Sequence, residues 1–266
     1  MLTPAIQLRE KLASNVPVVG VMATDHVWPF AVELCQLGGL DYLVIDREHG
    51  YHTDEVVANV CQLARIAGFP VIMRTVSCET SEIRRAIDLG PCGLLLPCVE
   101  TTEELDRVRD AVFMPPRGKR RPGGMGNYWM RNVQYTTWRD ELEQHFIIIP
   151  QIETRAGVEN VDAIAAHPLV TAMGLGPYDL SADLGCCYHP NAEHKAAIEK
   201  IRDAAAAVGK KLWIGIDGPK LIAEGYTFIW IGTLSLVLRR SFAETVEAIN
   251  AGKPGSQSGI AEPPPA

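Results

Sequence analysis

The chain has 266 residues, of which 47% are apolar and 21% charged, enough for one large α/β domain with a substantial core. Its formal net charge of −7 argues against a nucleic-acid partner, yet leaves small anionic ligands open because a site needs only local positive charge. No apolar run approaches the roughly 20 residues that span a bilayer. Met1-Leu2-Thr3-Pro4-Ala5 also lacks the basic and apolar blocks of a signal peptide, so a cytoplasmic protein with no membrane partner is expected.

In chain order, short apolar runs alternate with segments of helical period. Strands are expected over residues 18–22, 42–45, 71–74, 93–97, 146–151, 171–175, 212–216 and 228–231. They are mostly continuously apolar rather than alternating, the pattern of parallel strands buried on both faces. Residues 53–67 carry Val56, Val60, Leu63 and Ala67 on one helical face, with Gly68 as terminator. Residues 81–89 end at Gly90 in the same way. Leu105, Val108 and Val112 line the next helix, and Val158, Val161 and Ala165 another. Residues 193–208 form an Ala-rich helix that stops at Gly209.

Eight such units in about 250 residues is the arithmetic of a (β/α)8 TIM barrel. A doubly wound open sheet is the alternative, but it often shows a Gly-rich first turn, and no Gly-x-Gly-x-x-Gly follows the first strand. The barrel is expected to occupy residues 1–250. The Gly-, Pro- and Ser-rich residues 251–266 read as a disordered tail.

The connection over residues 113–145 is long for a compact domain, and such loops are usually functional. It holds Pro115-Pro116-Arg117-Gly118-Lys119-Arg120-Arg121-Pro122-Gly123-Gly124-Met125-Gly126, then Tyr128, Trp129, Tyr135 and Trp138. Simple alternation starts it at the face away from the mouth, although it is long enough to fold back or to reach a neighbouring subunit. The cations suit an anionic ligand or a subunit contact; a solvated turn is the plainer reading. The seven cysteines (Cys35, Cys61, Cys78, Cys92, Cys98, Cys186, Cys187) include no Cys-x-x-Cys, which reads as reduced, mostly buried thiols. A redox or soft-metal role for Cys186-Cys187 is the alternative, with nothing else to support it.

The chemistry lies at strand ends. In Asp46-Arg47-Glu48-His49-Gly50, alternation puts Asp46 and Glu48 on one face, with His49 where strand gives way to loop. A His oriented by an Asp suits acid–base work. Arg74 follows Val71-Ile72-Met73 and would bind a carboxylate or stabilise an enolate oxygen; a structural ion pair with one of these acids is the other reading. Glu153 ends Gln151-Ile152-Glu153, and Asp179 follows Gly176-Pro177-Tyr178. With no His or Cys beside them in sequence, they look like ligands of a hard cation such as Mg²⁺. Each alone also reads as an acid favoured at a helix N-terminus. The Gly176-Pro177 turn exposes backbone that suits a small carboxylate. Together the set suits enolate chemistry on a 2-oxo acid.

These motifs resemble the metal-dependent pyruvate aldolases of the 4-hydroxy-2-oxoheptanedioate aldolase (HpcH/HpaI) family. The stretches that carry the resemblance are Asp46-Arg47-Glu48-His49, Arg74, Arg84-Arg85-Ala86-Ile87-Asp88-Leu89-Gly90, Leu94-Leu95-Leu96-Pro97-Cys98-Val99-Glu100, Pro115-Pro116-Arg117-Gly118, Gln151-Ile152-Glu153-Thr154 and Gly176-Pro177-Tyr178-Asp179-Leu180-Ser181. The resemblance implies a barrel assembled as a hexamer, with the C-terminal helix exchanged between subunits. It implies that Glu153 and Asp179 hold a divalent cation (Mg²⁺, Mn²⁺ or Co²⁺) and that Arg74 stabilises the pyruvate enolate. His49, paired with Asp46, would act as acid–base through a metal-bound water. Gln151, Gly176, Pro177 and Tyr178 would contact pyruvate, and Asp88 would reach into the neighbouring subunit's site.

The implied activity is that of a class II aldolase cleaving a 4-hydroxy-2-oxo acid to pyruvate and an aldehyde. A citryl- or malyl-CoA lyase and a non-catalytic, metal-dependent ligand-binding barrel are the alternatives. Three departures from the family pattern bear on the aldehyde: Arg47 for the usual Gly, Thr75 for Pro, and Lys119-Arg120-Arg121-Pro122 where Ile-Arg-Gly is usual. Succinic semialdehyde, a sugar-derived aldehyde and an aromatic one all remain candidates.

Overall fold

A computed structural model of the chain describes residues 2–121, 123, 129 and 133–252. Its eight strands are β1 (Val18–Ala23), β2 (Tyr42–Asp46), β3 (Val71–Arg74), β4 (Gly93–Leu96), β5 (Ile147–Ile152), β6 (Met173–Leu175), β7 (Leu212–Ile214) and β8 (Phe228–Thr233). They close in chain order into an all-parallel barrel, with β8 pairing back on β1. Every residue of β2 through β7 is buried, which is why these strands read as unbroken apolar runs.

Inside the barrel, the Tyr42 ring occupies the space a side chain at Gly20 would need, so a Cβ there would lie 2.3 Å from Cζ. The Tyr42 hydroxyl donates to the Ile229 carbonyl (2.7 Å) and accepts from Trp213 Nε1 (2.9 Å). One buried phenol thus ties β2, β7 and β8 together with its polar atom satisfied.

The outer layer comprises α1 (Thr3–Ala13), α2 (Phe30–Leu37), α3 (Asp54–Ala67), α4 (Thr80–Asp88), α5 (Thr102–Val112), α6 (Tyr135–Thr137), α7 (Arg155–Glu159), α8 (Val161–Ala166), α9 (Pro177–Asp183), α10 (Ala192–Ala207), α11 (Gly218–Ala223) and α12 (Leu234–Asn250). Thr53 caps α3, accepting from the Val56 N–H, and Gly68 ends it at φ 69°. The face α3 buries is Val57, Val60, Cys61 and Ala64, rotated from the expected stripe; Ala67 is exposed. Small Cys61 and Ala64 let the helix approach the barrel, which a reading weighted toward large side chains overlooks. The helix expected after Thr154 is two short ones, broken at Asn160.

The cationic run stays on the far side of the barrel, after α5. Arg117 pairs with Glu143 (3.0 Å), Lys119 with Asp110 (2.5 Å) and Arg120 with Asp88 (3.6 Å). The chain's own carboxylates therefore hold these three cations. Pro122, Gly124, Met125, Gly126 and Tyr128, and residues 253–266 of the expected tail, lie outside the described residues. Among the described residues no helix is long and apolar enough to cross a membrane.

Candidate active site

Residues of β1, β2, β3, β5 and β6 and of turns that follow them, with Trp213 of β7 and Trp230 of β8, wall a cavity of about 280 Å³; they include Asp46, His49, Arg74, Gln151, Tyr178 and Asp179. Barrel register builds its first half, because Asp46 and Arg74 are partners on adjacent strands. Arg74 donates from Nε to Asp46 Oδ1 (2.9 Å) and from Nη2 to Oδ2 (2.6 Å), while Nη1 sits 3.1 Å from Glu48 Oε2. Asp46 is 0% exposed and Arg74 8%. Burial alone would push the Asp46 carboxyl up; the Arg74 fork, with help from the Thr24 hydroxyl (2.8 Å), pulls it below its ordinary value.

His49 is exposed, and its ring does not meet Asp46. Both Asp46 oxygens are taken, by Arg74, by Thr24 and by the backbone N–H groups of Glu48 and His49. The acid thus fixes the His49 backbone, whereas the ring lies 3.8 Å from Glu48 Oε2. Strand geometry explains the difference: Asp46 points into the barrel, and three residues later the chain has already turned outward.

The second half centres on Glu153, which is 3% exposed at the end of β5. Its Oε1 accepts from the Cys98 backbone N–H (2.7 Å), with Cys98 Sγ 3.3 Å away, and its Oε2 accepts from Gln151 Nε2 (2.5 Å). Burial pushes its carboxyl up to about 7; the Cys98 contacts offset this in part, and Glu48 and Asp179 add like charge. Glu48 is likewise raised, first by burial, with Arg74 and His49 opposing.

Ligand-capable atoms of Glu48, Cys98 and Glu153 lie within 4.8 Å of one another. Asp179, in the first turn of α9, is exposed and stands outside that closest set, on the cavity wall with Arg74 and Gln151. Gln151 Oε1 is buried without a hydrogen-bond partner among the described residues. Crowded acids, a Glu153 with no cationic side chain bonded to it among the described residues and an orphaned amide oxygen together fit a divalent cation.

Gly176 is fixed by this packing. A Cβ there would lie 2.1 Å from Glu153 Oε2 and 2.7 Å from Gln151 Nε2. Gly176→Ala is therefore expected to displace both side chains and weaken binding of a divalent cation by about tenfold or more, measured by metal titration of the folded variant. Wild-type affinity in that variant would show that Glu153 can move without consequence.

Other expected residues fall elsewhere. Asp88 ends α4, away from this chain's cavity and beside Arg120. Arg47 pairs with Asp54 of α3 (2.7 Å) and so braces the loop after β2. Tyr178 is exposed and packs on Tyr188 at 5.5 Å between ring centroids.

Sequence reasoning missed Cys98 and His194. Cys98 was given no role of its own among the mostly buried thiols; it is exposed, beside Glu153, and its place just past the end of the fourth strand was the available signal. His194, 4% exposed on α10, has Nε2 2.9 Å from the Pro177 carbonyl and steadies the turn before Asp179. No motif marks it.

A family model described as HpcH/HpaI aldolase/citrate lyase matches residues 27–239. The hydroxypyruvate/pyruvate aldolase of Chromohalobacter salexigens is 33% identical over 227 residues, covering 82% of this chain and 87% of that protein. The 2-keto-3-deoxy-L-rhamnonate aldolase of Salmonella schwarzengrund is 29% identical over 241 residues, covering 84% and 88%. The crystal structure of an HpcH/HpaI aldolase from Desulfitobacterium hafniense superposes with a TM-score of 0.81 at 27% identity, covering 96% of this chain and 99% of that one.

Proposed function

Because the chain belongs to the HpcH/HpaI aldolase/citrate lyase family, we propose that it is a metal-dependent class II aldolase. It would reversibly cleave a 4-hydroxy-2-oxo acid, of the 4-hydroxy-2-oxoheptanedioate or sugar-derived 2-keto-3-deoxy type, into pyruvate and an aldehyde. The observation that carries this reading is the Asp46-held Arg74 fork sharing one strand-end site with the buried, proton-affine Glu153. The relatives named for hydroxypyruvate, pyruvate and 2-keto-3-deoxy-L-rhamnonate support a short 2-oxo acid as the common substrate half.

Glu153 and Asp179 would hold the cation (Mg²⁺, Mn²⁺ or Co²⁺), which when bound supplies Lewis-acid polarisation of the 2-oxo group. Arg74 meets the negative charge that develops on the enolate oxygen as the C3–C4 bond breaks. Asp46, itself held by the Thr24 hydroxyl, holds that fork in advance, so little reorganisation is left for the transition state. Gln151, Gly176, Pro177 and Tyr178 line the cavity where the pyruvate half would lie. His49, at the rim near Glu48, is placed to take the proton from the 4-hydroxyl and to return one to the enolate carbon. A CoA-thioester lyase would need a cationic groove at the mouth, whereas Arg117, Lys119 and Arg120 are held at the opposite face.

Exchange of the pyruvate methyl protons in D₂O tests the chemistry independently of the aldehyde. Exchange should stop in chelator, return with Mn²⁺, Co²⁺ or Mg²⁺, and be lost in His49→Ala. Full exchange in chelator, together with borohydride trapping of a pyruvate–lysine adduct, would sink the proposal. A panel of aldehydes with pyruvate as donor then identifies the second substrate.

Assembly through α12 completes the reading. Of this helix only Leu234 is buried, while Leu238, Phe242, Val246 and Ile249 are exposed at helical spacing. Such a stripe suits cover by a second copy, as a hexamer with exchanged C-terminal helices would provide. Phe242→Glu is expected to lower the sedimenting mass to that of a smaller species; an unchanged mass would remove α12 from the interface.

A further inference from the structure

The site holds a sulfur that the enolate mechanism does not use. Cys98 lies two residues past the end of β4, beside Glu153, and its φ of 50° places its backbone in the left-handed region. Its backbone N–H is already committed to Glu153 Oε1, and its Sγ lies 3.3 Å from the same oxygen. Glu48 brings an oxygen from β2's end into the same small space, within 4.8 Å. A separate observation points to a ligand there. Gln151 is 3% exposed and bonds Glu153 through Nε2, while its Oε1 is buried with no partner among the described residues. An amide oxygen left in that state in a crowded acidic wall lacks a donor or a cation.

We propose that Cys98 is a protein ligand of the cation, alongside Glu153 and Glu48, and that its sulfur biases the site toward thiophilic divalent ions. The inference rests on the reading of Glu153 as a metal ligand. Hard oxygen sites favour Mg²⁺ and Mn²⁺, whereas a thiolate adds affinity for Zn²⁺, Co²⁺ and Cd²⁺. On binding, the S–H bond breaks, a sulfur–metal bond forms and the proton leaves to solvent, with no change of oxidation state. Asp179, exposed on the cavity wall, would complete the set.

Cd²⁺ titration of the full chain, followed by ultraviolet absorbance, tests this. The wild type should develop a thiolate-to-cadmium charge-transfer band that saturates at one equivalent. Cys98→Ser should lose the band and bind Zn²⁺ about tenfold more weakly or worse, with Mn²⁺ affinity changed much less. Cys186→Ser/Cys187→Ser should keep the band, since those thiols lie outside the cluster. A Cd²⁺-saturated wild type without the band, or a band that survives in Cys98→Ser, overturns the proposal. Mn²⁺ paramagnetic-resonance titration separates the two levels. Mn²⁺ bound by wild type but lost in Glu153→Gln, without the cadmium band, sinks only the cysteine ligand. No Mn²⁺ binding at all sinks the metal reading beneath it.

Discussion

Arg74→Met is expected to lower turnover by about 10³-fold, the scale seen when a preorganised donor to a developing oxyanion is removed. It should also cost about 3–5 kcal/mol of stability, because it strands a buried carboxylate. Both effects come from one geometry. Asp46 is 0% exposed and its two oxygens are met by the two prongs of a guanidinium that is itself 8% exposed. Two further variants separate them. Asp46→Asn/Arg74→Met removes the stranded charge, so thermal stability should recover while turnover does not. Arg74→Lys keeps a cation but not the fork, and should retain more stability than activity. Equal recovery of stability and turnover in the double variant would assign Arg74 a structural role alone.

Glu153→Gln is expected to abolish cation binding and to lower turnover by about 10³-fold or more, equivalent to about 4 kcal/mol of lost transition-state stabilisation. The same residue sets a pH dependence in the metal-free protein. Its folded carboxyl is pushed up to about 7 by burial, from an ordinary 4.5. The fold therefore favours the neutral acid. That contribution to stability is fully present below about 4.5 and is lost as pH rises through about 7, a change on the order of 3 kcal/mol. A bound cation takes the proton's place and should preserve stability above pH 7. Melting temperature followed across this range, in chelator and in Mn²⁺, checks the sign. Metal-free Glu153→Gln should lack the downward slope; a slope equal to wild type would place its origin in other groups.

The barrel was legible because burial on both faces of a parallel strand forces unbroken apolar runs. All eight of those runs became strands. The ends of β2, β3 and β5 were legible for the same reason inverted: Asp46, Arg74 and Glu153 interrupt apolar strands where a charge has nowhere to go except the mouth. The helix faces were read less well. On α3 the contact runs through Cys61 and Ala64, whose small size is what close packing wants and what hydrophobicity alone does not weight. α12 carries a clear apolar stripe, yet in the single chain that stripe faces outward.

The chain's own order of residues determined the fold class, the family and which strand ends bear charge, since each depends on local pattern and on spacing along the chain. Pairing across the mouth was decided only by tertiary structure. Asp46 and His49 are three residues apart, and Asp46 and Arg74 are 28 apart. Register placed the distant Arg74, not the neighbouring His49 ring, on the Asp46 oxygens. Cys98 and Glu153, 55 positions apart, meet for the same reason: the parallel pairing of β4 with β5 brings their ends side by side. Sequence spacing carries the period of a strand or helix. It does not carry the distance between two strand ends, which strand pairing and register in the barrel set.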